Sequence, residues 1–530
     1  MIIFYKICKK IKIFVIFYHY VDKVLLQTFQ NLLFFEKMYD IILIQGGVFM
    51  ALANSENILN LLFSYNPWWQ TGTIQKEFNK PMKRFAYYDA MEKLNHSIRR
   101  SVILCGARRT GKTTIMYQAI HSFLEQNVHP KKILFISFDH PLLKLCNIEK
   151  VLEVYRSNIS GDEDIYCFFD EIQYAEDWNN WLKILYDTKP NMKIMATGSA
   201  SPVLTDKAAE SGLGRWTIIH VPTLSFFEYC QLLNIDVPDL PADLKPTQMY
   251  LKSLPEQTEI FNKLSMLQAH FIRYLQVGGF PELALSSDDL YAQRILREDI
   301  VDKALKRDLP AIYGIRNIND IEKIFLYLCY TSSNIINLNT LAQELEGVSR
   351  NTIEKYIGFL ESANLVYISP IVNVGIKKRL NAQNKMYIAD AAVRNAVLMK
   401  DDITNDPEEL GIIAETAVYK HIKAFYYGNA ATVGYHRGDK KDKEIDIVVV
   451  SEKFSPIMIE VKYREQAKIS ETDAIVDLAS EEYPNLVITK RANDFGECKY
   501  GEKKIYRLPA PAFLYMLGFA EYQKLKKKGK

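Results

Sequence analysis

The stretch Gly106-Ala107-Arg108-Arg109-Thr110-Gly111-Lys112-Thr113 has the pattern GxxxxGK[ST], and no other feature constrains this chain as much. It stands between an apolar run, Ser101–Cys105, and a helical pattern that opens at Thr114-Ile115-Met116. A glycine-containing loop in that setting curls its backbone N–H groups around phosphate oxygens, and the helix start adds a positive dipole end. The candidate phosphate-binding residues are Gly106, Ala107, Arg108, Arg109, Thr110, Gly111, Lys112, Thr113 and Thr114. Lys112 is expected to reach the β- and γ-phosphates, and the Thr113 hydroxyl to hold Mg²⁺.

A second motif points at the same crevice. Ile165–Phe169 is a continuous apolar run, as a strand buried on both faces should be, and it ends in Asp170-Glu171. Asp170 is expected to bind Mg²⁺ through water and Glu171 to polarise an attacking water, which makes the site a hydrolysing one. β-rich runs at Lys132–Phe138, Met192–Thr197 and Thr217–Val221 alternate with helical stretches, so this part reads as α/β with a parallel sheet. Ser199, after the fourth strand, is placed either to contact the γ-phosphate or to cap a turn. Arg215, just before the fifth strand, is either an arginine finger acting on a neighbouring subunit or an ordinary surface arginine. Asn66-Pro67-Trp68-Trp69 reads as a turn carrying two aromatics.

With 530 residues the chain exceeds one core, and 48% hydrophobic with 24% charged residues is a globular composition. A net charge of +3 neither requires nor excludes a nucleic-acid partner. The seven cysteines form no CxxC pair, which points to reduced thiols and a cytoplasmic setting rather than zinc or a disulfide framework. Residues 1–49 differ in composition from the rest. Their apolar run Ile13–Phe17 is too short to span a bilayer, and no membrane association is expected. Met50 is the expected natural start, with 1–49 a translated upstream extension and a membrane anchor as the alternative.

Beyond residue 245 the pattern changes. Residues 246–310 read as helical, interrupted by Gly278-Gly279-Phe280-Pro281. Three amphipathic helices (Ile321–Ser332, Leu338–Leu345, Arg350–Glu361) precede two β-rich runs with Lys377-Lys378-Arg379 between them. That is a winged helix-turn-helix pattern, in which Arg350, Asn351, Thr352 and Lys355 would face a DNA groove. The same pattern also serves as a packing module that binds no DNA. The last constellation comprises Glu415 on a helix, Asp446 on a strand, and Glu460 with Lys462 on the next strand. Alternation puts Glu460 and Lys462 on one face. Asp446 and Glu460 are the expected metal ligands, with Lys462 steadying a water against a phosphodiester and Glu415 supporting from the helix.

Together these motifs resemble the AAA+ ATPases of bacteria and archaea that carry a C-terminal PD-(D/E)xK nuclease-like domain. The resemblance runs from about Asn66 to about Met516 and includes Gly214-Arg215, Leu224-Ser225-Phe226 and Ile459-Glu460-Val461-Lys462. It implies ATP rather than GTP, Ser199 as a γ-phosphate sensor and a homo-oligomer; no lid arginine clearly matches a second sensor, Arg273 being only a candidate. The expected organisation is an extension (1–49), a P-loop AAA+ core (50–245), a helical lid (246–310), a winged helix (311–400) and a restriction-endonuclease-like α/β domain (401–530). The function expected first is ATP turnover coupled to DNA binding and Mg²⁺-dependent cleavage. The alternative is an ATP-dependent switch whose C-terminal domain binds DNA or protein without cutting.

Overall fold

A computed structural model describes residues 54–198, 213–372, 382–400, 403–426, 431–438, 443–479 and 484–528. Residues 1–49, Ser199 and Lys377-Lys378-Arg379 lie outside the described residues.

Five strands form a parallel sheet in the order β2-β3-β4-β1-β5: β1 Ser101–Cys105, β2 Ile133–Ser137, β3 Tyr166–Asp170, β4 Lys193–Gly198 and β5 Trp216–His220. All are largely apolar because helices cover both faces, among them α1 (Ser55–Tyr65), α2 (Phe85–Leu94) and α3 (Lys112–Glu125). The edge strand β2 would leave its outer N–H and C=O groups unpaired. The Asn66-Pro67-Trp68-Trp69 turn covers them. The Asn66 amide accepts from Phe135 N at 2.6 Å and donates to Phe135 O at 2.9 Å. Both indole N–H groups donate to Ile133 O, at 3.1 and 2.8 Å.

The chain leaves β5 into a helix, α4 (Phe226–Leu232), started by a reciprocal capping box between Ser225 and Glu228. Here two distant motifs meet. Leu224 N donates to Gly279 O at 2.6 Å, and a Cβ on Gly279 would lie 2.5 Å from Leu224 O, so only glycine fits. Asp390 seals the junction, accepting from Thr223 at 2.6 Å and from Lys420 at 2.8 Å.

The expected lid, 246–310, does not pack as one body. Helices α5 (Leu254–Leu264) and α6 (Leu267–Val277) share a core with the C-terminal domain, through residues such as Phe261, Phe271, Tyr419 and Phe513. Residues 280–309, Ala284 apart, share a core with the middle module instead, through Phe280, Leu296 and Leu305. That module comprises α7 (Ile318–Tyr330), β6 (Asn334–Ile335), α8 (Leu338–Glu344), α9 (Arg350–Ser362), β7 (Val366–Ser369) and β8 (Lys385–Ile388). Its sheet is antiparallel in the order β6-β8-β7. The two-residue strand β6 was too short for any sequence period to reveal.

The C-terminal domain is a six-stranded sheet in the order β13-β14-β12-β11-β10-β9. Its strands are β9 Thr432–Arg437, β10 Glu444–Ser451, β11 Phe454–Lys462, β12 Asn485–Thr489, β13 Gly496–Tyr500 and β14 Lys503–Pro509. β10 and β11 form an antiparallel hairpin, while β11, β12 and β14 run parallel. The flanking helices are α10 (Pro407–Tyr426) and α11 (Ala510–Lys528). The middle module joins this sheet at its edge, where Tyr435 N donates to Pro370 O at 3.0 Å and Val372 N to Tyr435 O at 2.8 Å. Gly434 permits that approach, since its Cβ would stand 2.1 Å from Pro370 O. Gly434→Ala should therefore push the two modules apart and cost about 1–3 kcal/mol, the usual range for overpacking. Urea denaturation checks this, and an unchanged midpoint would show that the junction yields freely.

Candidate functional site

The phosphate loop leaves the C-terminal end of β1, and Gly111 turns it into α3 at φ 90°. Gly106 is also obligatory, because a Cβ there would lie 2.3 Å from Val221 O. The Lys112 ammonium bends over the loop and donates to Gly106 O at 3.0 Å and Ala107 O at 2.9 Å. Arg84, buried behind the loop, fixes it from below by donating to Thr110 O at 2.8 Å.

Asp170 ends β3, facing the loop. Its Oδ1 accepts from the Thr113 hydroxyl at 3.0 Å and the Thr197 hydroxyl at 2.6 Å. Burial, then the adjacent Glu171 carboxylate, pushes Asp170 up to about 6, against the opposing pull of Thr197, Thr113 and Lys112. Glu171 takes a left-handed backbone (φ 50°) and donates its N–H to Thr197 Oγ1 at 2.9 Å, while its carboxylate accepts from Gln173. A non-glycine residue in that conformation at a strand end is a feature of built sites. Thr113 and Asp170 present hard oxygen donors side by side, which fits Mg²⁺ held jointly with phosphate oxygens. Thr197 was not foreseen as a site residue, although it begins the Thr197-Gly198-Ser199 motif. Its position on β4, beside β3, lets one hydroxyl hold both acidic residues.

The two loop arginines are engaged beyond the core. Arg108 donates to Asp308 at 2.6 and 3.0 Å and to the Tyr174 hydroxyl at 3.2 Å. Arg109 pairs with Glu282 and Asp299. Arg215 lies at the opposite end of the sheet. Its carbonyl accepts from Ser101 N at the start of β1, and its guanidinium pairs with Asp187 at 3.1 Å. A five-residue strand, roughly 15 Å long, separates it from its own loop. The described hydrogen bonds of Arg273 go to Tyr229, Ala284, Ser286 and Asp289, so it staples the helical segment.

The second cluster sits on the β10–β11 hairpin and α10. Glu415 and Asp446 converge there with Glu444, but a lysine from another module lies between them. Lys385, the first residue of β8 and 2% exposed, places its Nζ 2.9 Å from Glu415, 2.9 Å from Glu444 and 3.0 Å from Asp446. Tyr387 donates to Glu415 Oε1 at 2.8 Å, and Asp446 Oδ2 accepts from Val461 N at 2.9 Å. Lys462 lies nearer Asp473 (3.2 Å) than Glu460 (3.7 Å). Glu460 Oε2 is buried without a hydrogen-bond partner. Burial and Asp446 push Glu415 up to about 7 and Glu460 well above the carboxylate range.

Lys385 already supplies one positive charge to this cluster. Asp446 Oδ1 lies 3.0 Å from the Lys385 ammonium and its Oδ2 accepts from Val461 N, so each oxygen keeps a further lone pair. Among the described residues, no group of three or more His, Cys, Asp or Glu side chains is disposed to hold a metal ion. Asp446 and Glu460, the expected metal ligands, both lie in this carboxylate-rich corner, with the Lys385 ammonium beside Asp446. Glu444 could have been found from its i−2 relation to Asp446 on one strand face. Lys385 could not, since nothing near it in sequence belongs to the cluster.

The parallel sheet, the phosphate loop and the acidic strand end define a P-loop ATPase. Residues 98–230 match the family model described as an AAA domain, and the chain is a P-loop ATPase. Two further models match, both domains of unknown function: DUF8612 over residues 268–404 and DUF4143 over 410–512. Two relatives are proteins of Methanocaldococcus jannaschii. "Uncharacterized protein MJ1544" is 24% identical over 76% of this chain and 85% of its own length. "Uncharacterized protein MJ1637" is 26% identical over 78% of this chain and 86% of its own. Among solved structures, the Aeropyrum pernix ORC1 protein in complex with DNA is 12% identical, with a TM-score of 0.26, over 59% of this chain and 90% of that one. Among the described residues, no helix is long and apolar enough to cross a membrane.

Two predictions follow from the ATP site. Lys112→Ala should abolish tight ATP binding, and Glu171→Gln should keep ATP bound while turnover falls at least a hundredfold. Wild-type turnover by Glu171→Gln would remove Glu171 from the chemistry. The second concerns stability. A carboxyl whose folded value is raised to about 6 is buried at a cost once it ionises. The cost is absent below the unfolded value near 4 and complete above 6. Asp170→Asn should therefore stabilise the nucleotide-free protein at pH 8 by on the order of 2 kcal/mol, an advantage that narrows towards pH 5. Thermal melts at the two pH values check the sign.

Proposed function

We propose that the chain is an ATP-driven switch acting on DNA, in which the nucleotide state of the AAA domain sets the position of the middle module. The pairing of Arg108 with Asp308, and of Arg109 with Glu282 and Asp299, carries this reading. Both arginines belong to the loop that takes the phosphates. All three carboxylates belong to the segment packed on, or leading into, the middle module. Phosphate oxygens compete for the same guanidinium forks. Binding of ATP would draw the arginines inward and loosen the segment, and hydrolysis would return them.

The module's order of helix, strand, two helices and two strands supports reading it as a winged helix. Its helix α9 presents exposed Arg350, Asn351 and Lys355, with Thr352 half-buried. Mg²⁺ would be held by Thr113 and Asp170. Arg215, at the far end of the sheet from its own loop, suits action on a neighbouring subunit of a homo-oligomer. The buried free cysteines Cys105, Cys146, Cys167, Cys230 and Cys329 suit the reducing cytoplasm.

A second reading, phosphodiester cleavage by the C-terminal domain as a PD-(D/E)xK-like nuclease, is favoured by the placement of Asp446, Glu460 and Lys462 on one hairpin. Lys385 among the carboxylates favours the switch in this arrangement.

Fluorescence anisotropy with duplex DNA, across a salt series with and without ATP, tests the switch. ATP should change the affinity of the wild type at least fivefold, and Arg108→Ala should bind ATP yet lose that dependence. Arg350→Ala with Lys355→Ala should lower the salt slope by about 2, since each lost phosphate contact removes roughly 0.9. Equal affinity with and without ATP would overturn the coupling, and no duplex binding would overturn the DNA partner.

A further inference from the structure

The cation in the C-terminal carboxylate cluster comes from the chain itself. An ammonium carries three N–H donors and no acceptor. Those of Lys385 are matched by three carboxylates, Glu415, Glu444 and Asp446, at 2.9 to 3.0 Å. A buried ammonium so surrounded is fully paired, and it offsets one of the three carboxylate charges. A divalent ion placed among the same oxygens would stand within a few ångströms of Nζ, where like charges repel strongly in a low-dielectric interior.

The lysine is delivered by another module. β8 pairs with β6 and β7, not with any strand of the C-terminal sheet. Its placement is held by Tyr387, which stacks on Tyr419 of α10 with ring centroids 4.0 Å apart and donates to Glu415. The Pro370–Tyr435 contact past Gly434 holds the same junction one strand away. Withdrawing β8 would remove the ammonium and the Tyr387 hydroxyl together.

We propose that Lys385 is the resident cation of the Glu415–Glu444–Asp446 cluster, and that the middle module thereby prevents the C-terminal domain from taking a divalent metal. It is an autoinhibitory contact between modules. The inference does not depend on DNA binding or on ATP coupling, because its readout is metal occupancy.

Mn²⁺ binding to the full-length protein without nucleotide, followed by electron paramagnetic resonance, tests it. In the wild type, Asp446→Asn should leave the number of bound Mn²⁺ unchanged. Lys385→Met should gain one Mn²⁺ per chain that the wild type lacks, and adding Asp446→Asn should remove it. The double variant Lys385→Met/Glu444→Gln removes one charge of each sign, and it serves if the single variant fails to fold. A wild-type Mn²⁺ site lost in Asp446→Asn would overturn the proposal, and that measurement needs no Lys385 variant. Folded Lys385 variants that gain no Mn²⁺ would overturn it equally.

Discussion

Arg84 is the side chain on which the arrangement of this molecule depends. It is 5% exposed and makes four charge-assisted hydrogen bonds. Two run to the Glu228 carboxylate, one to Thr110 O in the phosphate loop and one to Pro222 O after β5. Burial by itself would raise Glu228, yet Arg84, with N–H donors from Ser225 and Phe85, holds it below the usual carboxylate range. The same carboxylate closes the capping box that starts α4. One guanidinium therefore sets the phosphate loop, the exit from the ATPase sheet and the helix leading to everything downstream. Removing either partner would leave a buried charge unpaired, commonly a loss of about 3–5 kcal/mol.

The cores follow from that junction. The ATPase sheet and its helices form one apolar cluster ending at Val221. The next begins at Leu224 and runs on to Leu517, uniting α4, α5 and α6 with the C-terminal domain. Gly518 of α11 completes the union, since a Cβ there would lie 2.3 Å from the Cβ of Phe227. The helices after the ATPase sheet are thus more a base for the last domain than a cover for the nucleotide. Contact with the loop comes from residues 282–308, through the arginine pairs. Those pairs join the phosphate loop to this segment, and Lys385 joins the middle module to the C-terminal cluster.

Local patterns in the chain made the ATP site legible. The loop GxxxxGK[ST] and the Asp170-Glu171 strand end require only adjacent residues and a parallel strand, so period and composition sufficed. Thr197 was within reach, since it follows Ala196, the β4 partner of Phe169 just before Asp170. The roles of Arg108 and Arg109 were not, because their partners lie between 173 and 200 residues away. Ser199 lies outside the described residues.

The sequence by itself determined the class of the core, the position of the phosphates, and the strands and helix that carry Glu415, Asp446, Glu460 and Lys462. These are consequences of short-range periodicity and of motifs whose chemistry is contiguous. Only the tertiary structure decided what stands between Glu415 and Asp446. Three carboxylates read along a chain look like a metal site, because like charges gathered without a partner demand a cation. Which cation answers is set by long-range packing. Here β8 brings the Lys385 ammonium in among Glu415, Glu444 and Asp446, and a contact between separate modules leaves no periodic trace in either of them.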